Sequence, residues 1–195
     1  MNTPMLILAS ASPRRAELLR QRGWEFQVVP SDLPEVQGDH LSAGEVAQIN
    51  AYRKARAVSK KHPDAVTLGG DTVVALGATI FGKPGTMLEA EQMLLALAGK
   101  THLVVTGVCL VHLRAHRQKT FFQQTEVTFR PLTVEQVRQY HAKVNPLDKA
   151  GAYGIQEKGE ALVTSVSGSL SNVIGLPLER LEEELAAFTR SPLPR

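Results

Sequence analysis

The chain has 195 residues, with 22 lysines and arginines against 19 acids, a formal charge of +3, and 43% hydrophobic and 21% charged residues. That length supports one substantial core, or one domain of two lobes, and the composition is that of an ordinary soluble globular protein. A single cysteine, Cys109, excludes an intrachain disulfide framework and a cysteine-cluster metal site. No apolar run approaches the ~20 residues that cross a bilayer. Met1-Asn2-Thr3-Pro4 has no basic start of a secretory signal, so a cytoplasmic protein is expected.

Met5 to Ala9 is apolar enough for a buried strand, and Ser12 followed by Pro13 reads as an N-cap and first helical position. The stretch Leu6-Ile7-Leu8-Ala9-Ser10-Ala11-Ser12-Pro13-Arg14-Arg15 is therefore strand, tight turn and helix start. Arginine is misplaced in a first turn, because the helix dipole is positive there. Ser10, Ser12, Arg14, Arg15 and the backbone N–H groups of the turn together suit a phosphate. The helix runs to about Arg22 and stops at Gly23. Glu25 to Val29 alternates as a second strand, and Pro30 to Asp39 is an acidic, proline-containing loop with Asp32 and Glu35.

Ser42-Ala43-Gly44-Glu45 is a capping box for a helix to about Lys61, with Val46, Ile49, Ala55 and Val58 as its buried stripe. Lys54 lies off that stripe and by itself reads as a solvated lysine. Ala65 to Leu76 is a strong strand with Asp71 in its middle. A buried carboxylate requires a metal, a cation or hydrogen-bond donors, which marks Asp71 as functional. Gly69 and Gly70 before it admit a bulge or a closely approaching ligand. Ala78 to Phe81 pairs back across Gly77. Lys83 follows at a strand-to-helix junction, in a Gly-Lys-Pro stretch without the spacing of a Walker A loop.

Thr86 and Glu89 form a second capping box for a helix to about Ala98. Thr101–Leu113 and Lys119–Arg130 form a long antiparallel pair. His102, His112 and His116 lack a zinc-like spacing and read as surface residues. Thr133, with Gln136 at N3, caps a helix to about Ala142. Asn145 to Gln156 mixes glycines with an acid, a base and an amide, so that backbone can approach a ligand while Gln156 reads the imide edge of a pyrimidine. The plainer reading of this stretch is a structured turn before a strand at Ala161–Val166. Ser167–Asn172 reads as a polar loop, the last helix reaches about Thr189 with Leu178, Leu181, Leu185 and Phe188 inward, and Ser191–Arg195 is a loose tail. Periodicity alone gives a mixed α/β protein.

In this order the motifs resemble the Maf family of nucleoside triphosphate pyrophosphatases, almost end to end. They are Ser10 to Arg15, Lys54 before an alanine, Gly70-Asp71-Thr72, Lys83-Pro84, Thr106-Gly107, Asp148 to Gln156 and Gly175-Leu176-Pro177. The combination of Arg14, Thr72 and Gln156 is similar to the branch that hydrolyses dTTP and UTP, and these three would set specificity. One departure is Arg53-Lys54-Ala55, where the family usually has Glu-Lys-Ala; the glutamate's role would pass to Glu35. The resemblance implies a two-lobed α/β fold of the Maf and inosine triphosphate pyrophosphatase type around a long mixed sheet. It further implies a cleft between the lobes and a homodimer, with residues 1–190 as one domain.

The expected reaction is hydrolysis of the α–β phosphoanhydride to a monophosphate and pyrophosphate. Asp71 is the expected proton acceptor, and Lys54 and Lys83 supply point charges. Glu35 and Asp71 would hold Mg²⁺ or Mn²⁺ together with substrate oxygens. The alternatives are a non-catalytic nucleotide-binding regulator of cell division, or the same chemistry on another triphosphate such as 7-methyl-GTP. Nucleic-acid binding, suggested by the pI of 9.1, lacks interleaved aromatics and a basic stripe. No membrane partner is expected.

Overall fold

In the computed structural model the described residues are 4–36, 38 and 40–190; Met1–Thr3, Gln37, Asp39 and the tail Ser191–Arg195 lie outside them. The chain order is β1 (Leu6–Leu8), α1 (Pro13–Gln21), β2 (Gln27–Val28), α2 (Ala43–Ser59), β3 (Val66–Leu76), β4 (Thr79–Phe81), α3 (Met87–Leu97) and β5 (Thr101–His112). It continues with β6 (Arg117–Phe129), α4 (Val134–His141), β7 (Val163–Ser167), α5 (Leu170–Ile174) and α6 (Leu178–Arg190). The strands form a mixed sheet in the order β2-β1-β3-β5-β6-β7, with β4 paired to β3. β1 runs parallel to β2 and β3, with Leu8 opposite Val28 and Leu68. β4 is antiparallel to β3, and β7 to β6.

Two compact units share the long strands. One comprises residues 1–71, 106–123 and 175–195, and the other 72–105 and 124–174. In the first unit, Ile7 and Ala9 of the β1 edge cluster with Val58 and Ala65, and Ala51 and Ala55 of α2 cluster with Cys109 and Val111. Helix α2 lies on the sheet almost without intervening side chains. A Cβ on Gly69 would stand 2.1 Å from the Ala51 carbonyl oxygen, and one on Gly107 2.3 Å from that of Ala47. Gly69 thus admits the protein's own helix, where the sequence suggests a bulge or a ligand. In the second unit Leu94, Leu97, Val127, Phe129 and Leu162 are almost wholly buried. Each such side chain contributes about 2 kcal/mol through area removed from water.

The capping boxes at Ser42/Glu45 and Thr133/Gln136 are formed as expected. At Thr86 the box is half made: Thr86 accepts the Glu89 N–H, while the Glu89 carboxylate accepts from Gly85 instead. The second strand shrinks to two exposed residues, and the expected polar loop at 167–172 contains the start of α5, too short to show a helical period.

His102 is not a surface residue. It is 2% exposed, its Nε2 lies 2.8 Å from the Tyr153 hydroxyl, and its ring meets Phe129 edge-on. Burial lowers its pKa from 6.5 to about 4. The unfolded chain therefore binds the extra proton first, and stability falls as pH drops from about 6.5 toward about 4, levelling below. The loss is of order 3 kcal/mol. Urea midpoints measured across that range should shift less in His102→Gln than in the wild type.

Candidate active site

The turn from β1 to α1 is built on the Ser10 hydroxyl, which accepts the Ser12 backbone N–H at 3.2 Å and the Arg15 Nη1 at 3.0 Å. Ser12 has extended backbone and precedes Pro13, as an N-cap should, but its side chain makes no capping hydrogen bond. Arg15 is 8% exposed and its Nε donates to the Gly175 carbonyl at 2.9 Å. Burial lowers its pKa, against the raising effect of Asp71 and Glu35. Arg14 is half-buried. The two arginines therefore differ: Arg15 is set into the floor of the turn, where the sequence reads both as open to solvent or ligand.

β3 runs beside this turn, with the Ala9 N–H on the Leu68 carbonyl at 2.8 Å. It delivers Asp71, 3% exposed. Lys54 Nζ lies 2.6 Å from Asp71 Oδ1 and 2.9 Å from Glu35 Oε1. The solvated reading of Lys54 is thus overturned, and the reason is the close packing of α2 on Gly69, which brings the helix side chains down to the sheet. Asn50 Nδ2 donates to Asp71 Oδ2 at 3.1 Å, so each carboxylate oxygen has a donor. Burial raises the Asp71 pKa, with Glu35 adding to it and Lys54 and Arg15 opposing. A carboxylate in such a place is a better proton acceptor than one in water.

Asn50 is the residue that sequence reasoning missed. The available signal was spacing: it stands one turn before Lys54, and a polar residue beside Val46, Ala47 and Ala51 on a buried stripe needs hydrogen-bond partners. Arg53 donates to the Pro34 carbonyl at 2.8 Å, next to Glu35.

Thr72, Lys83 and Gln156 belong to the second unit. Thr72 follows Asp71 in β3 and is half-buried; Lys83 is exposed between β4 and α3; Gln156 is exposed in a turn. The segment leading to Gln156 is tightly held. The Tyr140 hydroxyl accepts the Gly154 N–H at 3.1 Å and donates to the Gly154 carbonyl at 3.3 Å. His141 Nε2 donates to the Ala152 carbonyl at 3.2 Å. The Lys149 ammonium, almost wholly buried, bonds the Asn145 carbonyl at 2.8 Å, Asp148 at 2.7 Å and Glu157 at 3.1 Å.

A divalent cation fits the donors of the first unit in kind. Glu35 and Asp71 present hard carboxylate oxygens to one cation, the Lys54 ammonium. Two carboxylates are what magnesium commonly takes beside phosphate oxygens and waters. Among the described residues no group of three or more His, Cys, Asp or Glu gathers, so substrate and water would complete the shell.

A curated relative from Bacillus cereus (strain ATCC 10987 / NRS 248), named dTTP/UTP pyrophosphatase, is 44% identical over 96% of this chain and 91% of its own. Another of that name from Bacillus anthracis (strain CDC 684 / NRRL 3495) is 44% identical over 94% of this chain and 95% of its own. A solved structure, the nucleoside-triphosphatase / dITP/XTP pyrophosphatase of Mycobacterium abscessus, is 16% identical and aligns with a TM-score of 0.45, covering 96% of this chain and 100% of that one. The family model described as Maf-like protein matches residues 5–188. A buried carboxylate, its lysine and the serine–arginine turn thus sit in a chain that belongs, over nearly its whole length, to the Maf family.

Proposed function

We propose that this protein hydrolyses the α–β phosphoanhydride of dTTP and UTP, releasing the nucleoside monophosphate and pyrophosphate. The observation that carries the reading is the buried Asp71, bonded to Lys54 and Asn50 beside the Ser10–Arg15 turn. A bare carboxylate repels phosphates and by itself weakens nucleotide binding, whereas hydrolysis needs a proton acceptor there. The names and identities of the Bacillus relatives support the substrate.

In the proposed step a water oxygen bonds to the α-phosphorus and its proton passes to Asp71. The bond from that phosphorus to the bridging oxygen breaks, and pyrophosphate carries away the electron pair. Arg14, Arg15 and the N–H groups at the start of α1, with Ser10 and Ser12, bind phosphate oxygens. Lys54 holds Asp71 and Glu35 in place and adds positive charge. A Mg²⁺ or Mn²⁺ ion on Glu35 and Asp71 would supply further neutralisation of the triphosphate. The roles of Lys83 as a second point charge, and of Arg14, Thr72 and Gln156 in reading a pyrimidine, rest on the family resemblance, as does the homodimer, while the cytoplasmic location rests on the sequence features given above.

The test is pyrophosphate release from a panel of canonical triphosphates and 7-methyl-GTP, with Mg²⁺, with Mn²⁺ and with chelator. Release from dTTP and UTP at least about tenfold faster than from purine triphosphates is expected, the scale of discrimination that base-edge hydrogen bonds supply. Orthophosphate as the product would assign a different bond. Binding of dTTP without any turnover would favour the non-catalytic regulator.

A further inference from the structure

Glu35 meets Lys54 from a loop without regular structure between β2 and α2. Fixing a carboxylate on such a loop costs backbone and side-chain freedom, which a half-exposed ion pair seldom offsets by itself. Helix α2 grips the loop on both sides of Glu35. Before it, Arg53 Nη1 donates to the Pro34 carbonyl at 2.8 Å. After it, Asn50 Oδ1 accepts the Val36 N–H at 2.7 Å and Asn50 Nδ2 donates to the Val36 carbonyl at 3.1 Å. The same Nδ2 donates to Asp71 Oδ2 at 3.1 Å.

The orientation of the Asn50 amide follows from these partners. Turned over, its oxygen would face a carbonyl and a carboxylate, and its NH₂ would face an N–H. Asn50 is 2% exposed and both of its donors are engaged. No other side chain of similar size serves: aspartate would repel two of the three partners, and leucine would orphan all three.

We infer that Asn50 and Arg53 are positioning residues which hold Glu35 against the Lys54–Asp71 pair, so that one helix sets both carboxylates of the site. The inference rests on the phosphoanhydride-cleaving function proposed above, since only there does the placement of Glu35 matter for turnover. It also gives Arg53 a task that a glutamate could not perform, because a carboxylate cannot donate to the Pro34 carbonyl.

The experiment uses the full chain and compares wild type, Asn50→Ala, Arg53→Met, Arg53→Lys and Glu35→Gln, each checked by thermal melting. Backbone hydrogen exchange across residues 30–36 is read beside kcat and KM for dTTP. In Asn50→Ala, exchange at Val36 should rise about tenfold or more as the loop opens locally. Its kcat should fall about ten- to hundredfold with KM changed less than about threefold, the size expected when a reacting group is misplaced by about an ångström. Arg53→Met should lose roughly threefold to tenfold in kcat, and Arg53→Lys, which can still donate to the carbonyl, should recover to within about twofold. Added to Glu35→Gln, Arg53→Met should cost little more, because Arg53 acts only through that loop, whereas Asn50→Ala keeps the part of its loss that comes from its bond to Asp71.

Looser exchange with unchanged kcat, or an Arg53→Met loss fully additive with Glu35→Gln, would overturn the inference. So would an Arg53→Lys variant no better than Arg53→Met. Should Asn50→Ala fail to fold, the two Arg53 variants decide the matter alone. If the wild type releases no pyrophosphate from any triphosphate, it is the reaction that fails. Val36 exchange then still tests the clamp: faster exchange in the variants supports it and unchanged exchange refutes it.

Discussion

Asp71→Asn is expected to lower kcat for dTTP by about 10²- to 10⁴-fold, the range that a positioned general base supplies. The substitution keeps shape but removes the proton acceptor, together with the negative charge that faces Lys54 and would help to hold a metal. The carboxamide oxygen can accept from Lys54, which also retains Glu35 at 2.9 Å, so no buried cation is stranded, while the new NH₂ faces the Asn50 NH₂ that donated to Asp71. The carboxylate it replaces is held at a desolvation cost, visible in its raised pKa. Relief of that cost is set against one lost hydrogen bond, so thermal stability should stay near wild type. Calorimetric titration with a non-hydrolysable dTTP analogue should still show binding, since the phosphate-facing groups on α1 are untouched. Turnover near wild type would take Asp71 out of the mechanism.

Gly69→Ala should be the most destabilising single methyl group in the first unit. The added Cβ would stand 2.1 Å from the Ala51 carbonyl oxygen and 2.8 Å from the Ala55 backbone nitrogen. Both are backbone atoms inside α2, so no side chain can swing away and the helix must lift. Overpacking of this kind costs about 3 kcal/mol or more, and chemical denaturation would read it directly. Lifting α2 also draws Lys54 and Asn50 away from Asp71, so activity should fall beyond what the unfolded fraction explains. Gly107→Ala, with 2.3 Å to the Ala47 carbonyl, should behave alike. A wild-type midpoint in either variant would mean that α2 does not sit this close to the sheet.

Local signals in the sequence reached far. The Ser12-Pro13 start of α1, the Ser42/Glu45 and Thr133/Gln136 boxes, and the apolar run around Asp71 each depend on neighbours a few residues apart, and all form where expected. The demand of Asp71 for a partner was legible too, as a matter of solvation. Which partner answered it was not, because Lys54 reaches Asp71 only through the height of α2 above β3, and that height depends on Gly69 and Gly107, residues far apart in the chain. Asn50 stayed hidden for the same reason: its three partners lie in two other segments. His102 shows the opposite failure. Its lack of a zinc-like spacing speaks only against metal binding and not for the surface, and Phe129 and Tyr153 close over it.

The bond from Arg15 to the Gly175 carbonyl spans 160 positions of sequence, and it has a consequence for how the molecule comes into being. Arg15 leaves the ribosome 160 residues before the carbonyl that fixes it. The segments 72–105 and 124–174 are complete before residues 175–195 exist to close the first unit. The turn that Arg15 underlies thus reaches its final form only after residue 175 has been made, although its own residues come 160 positions earlier.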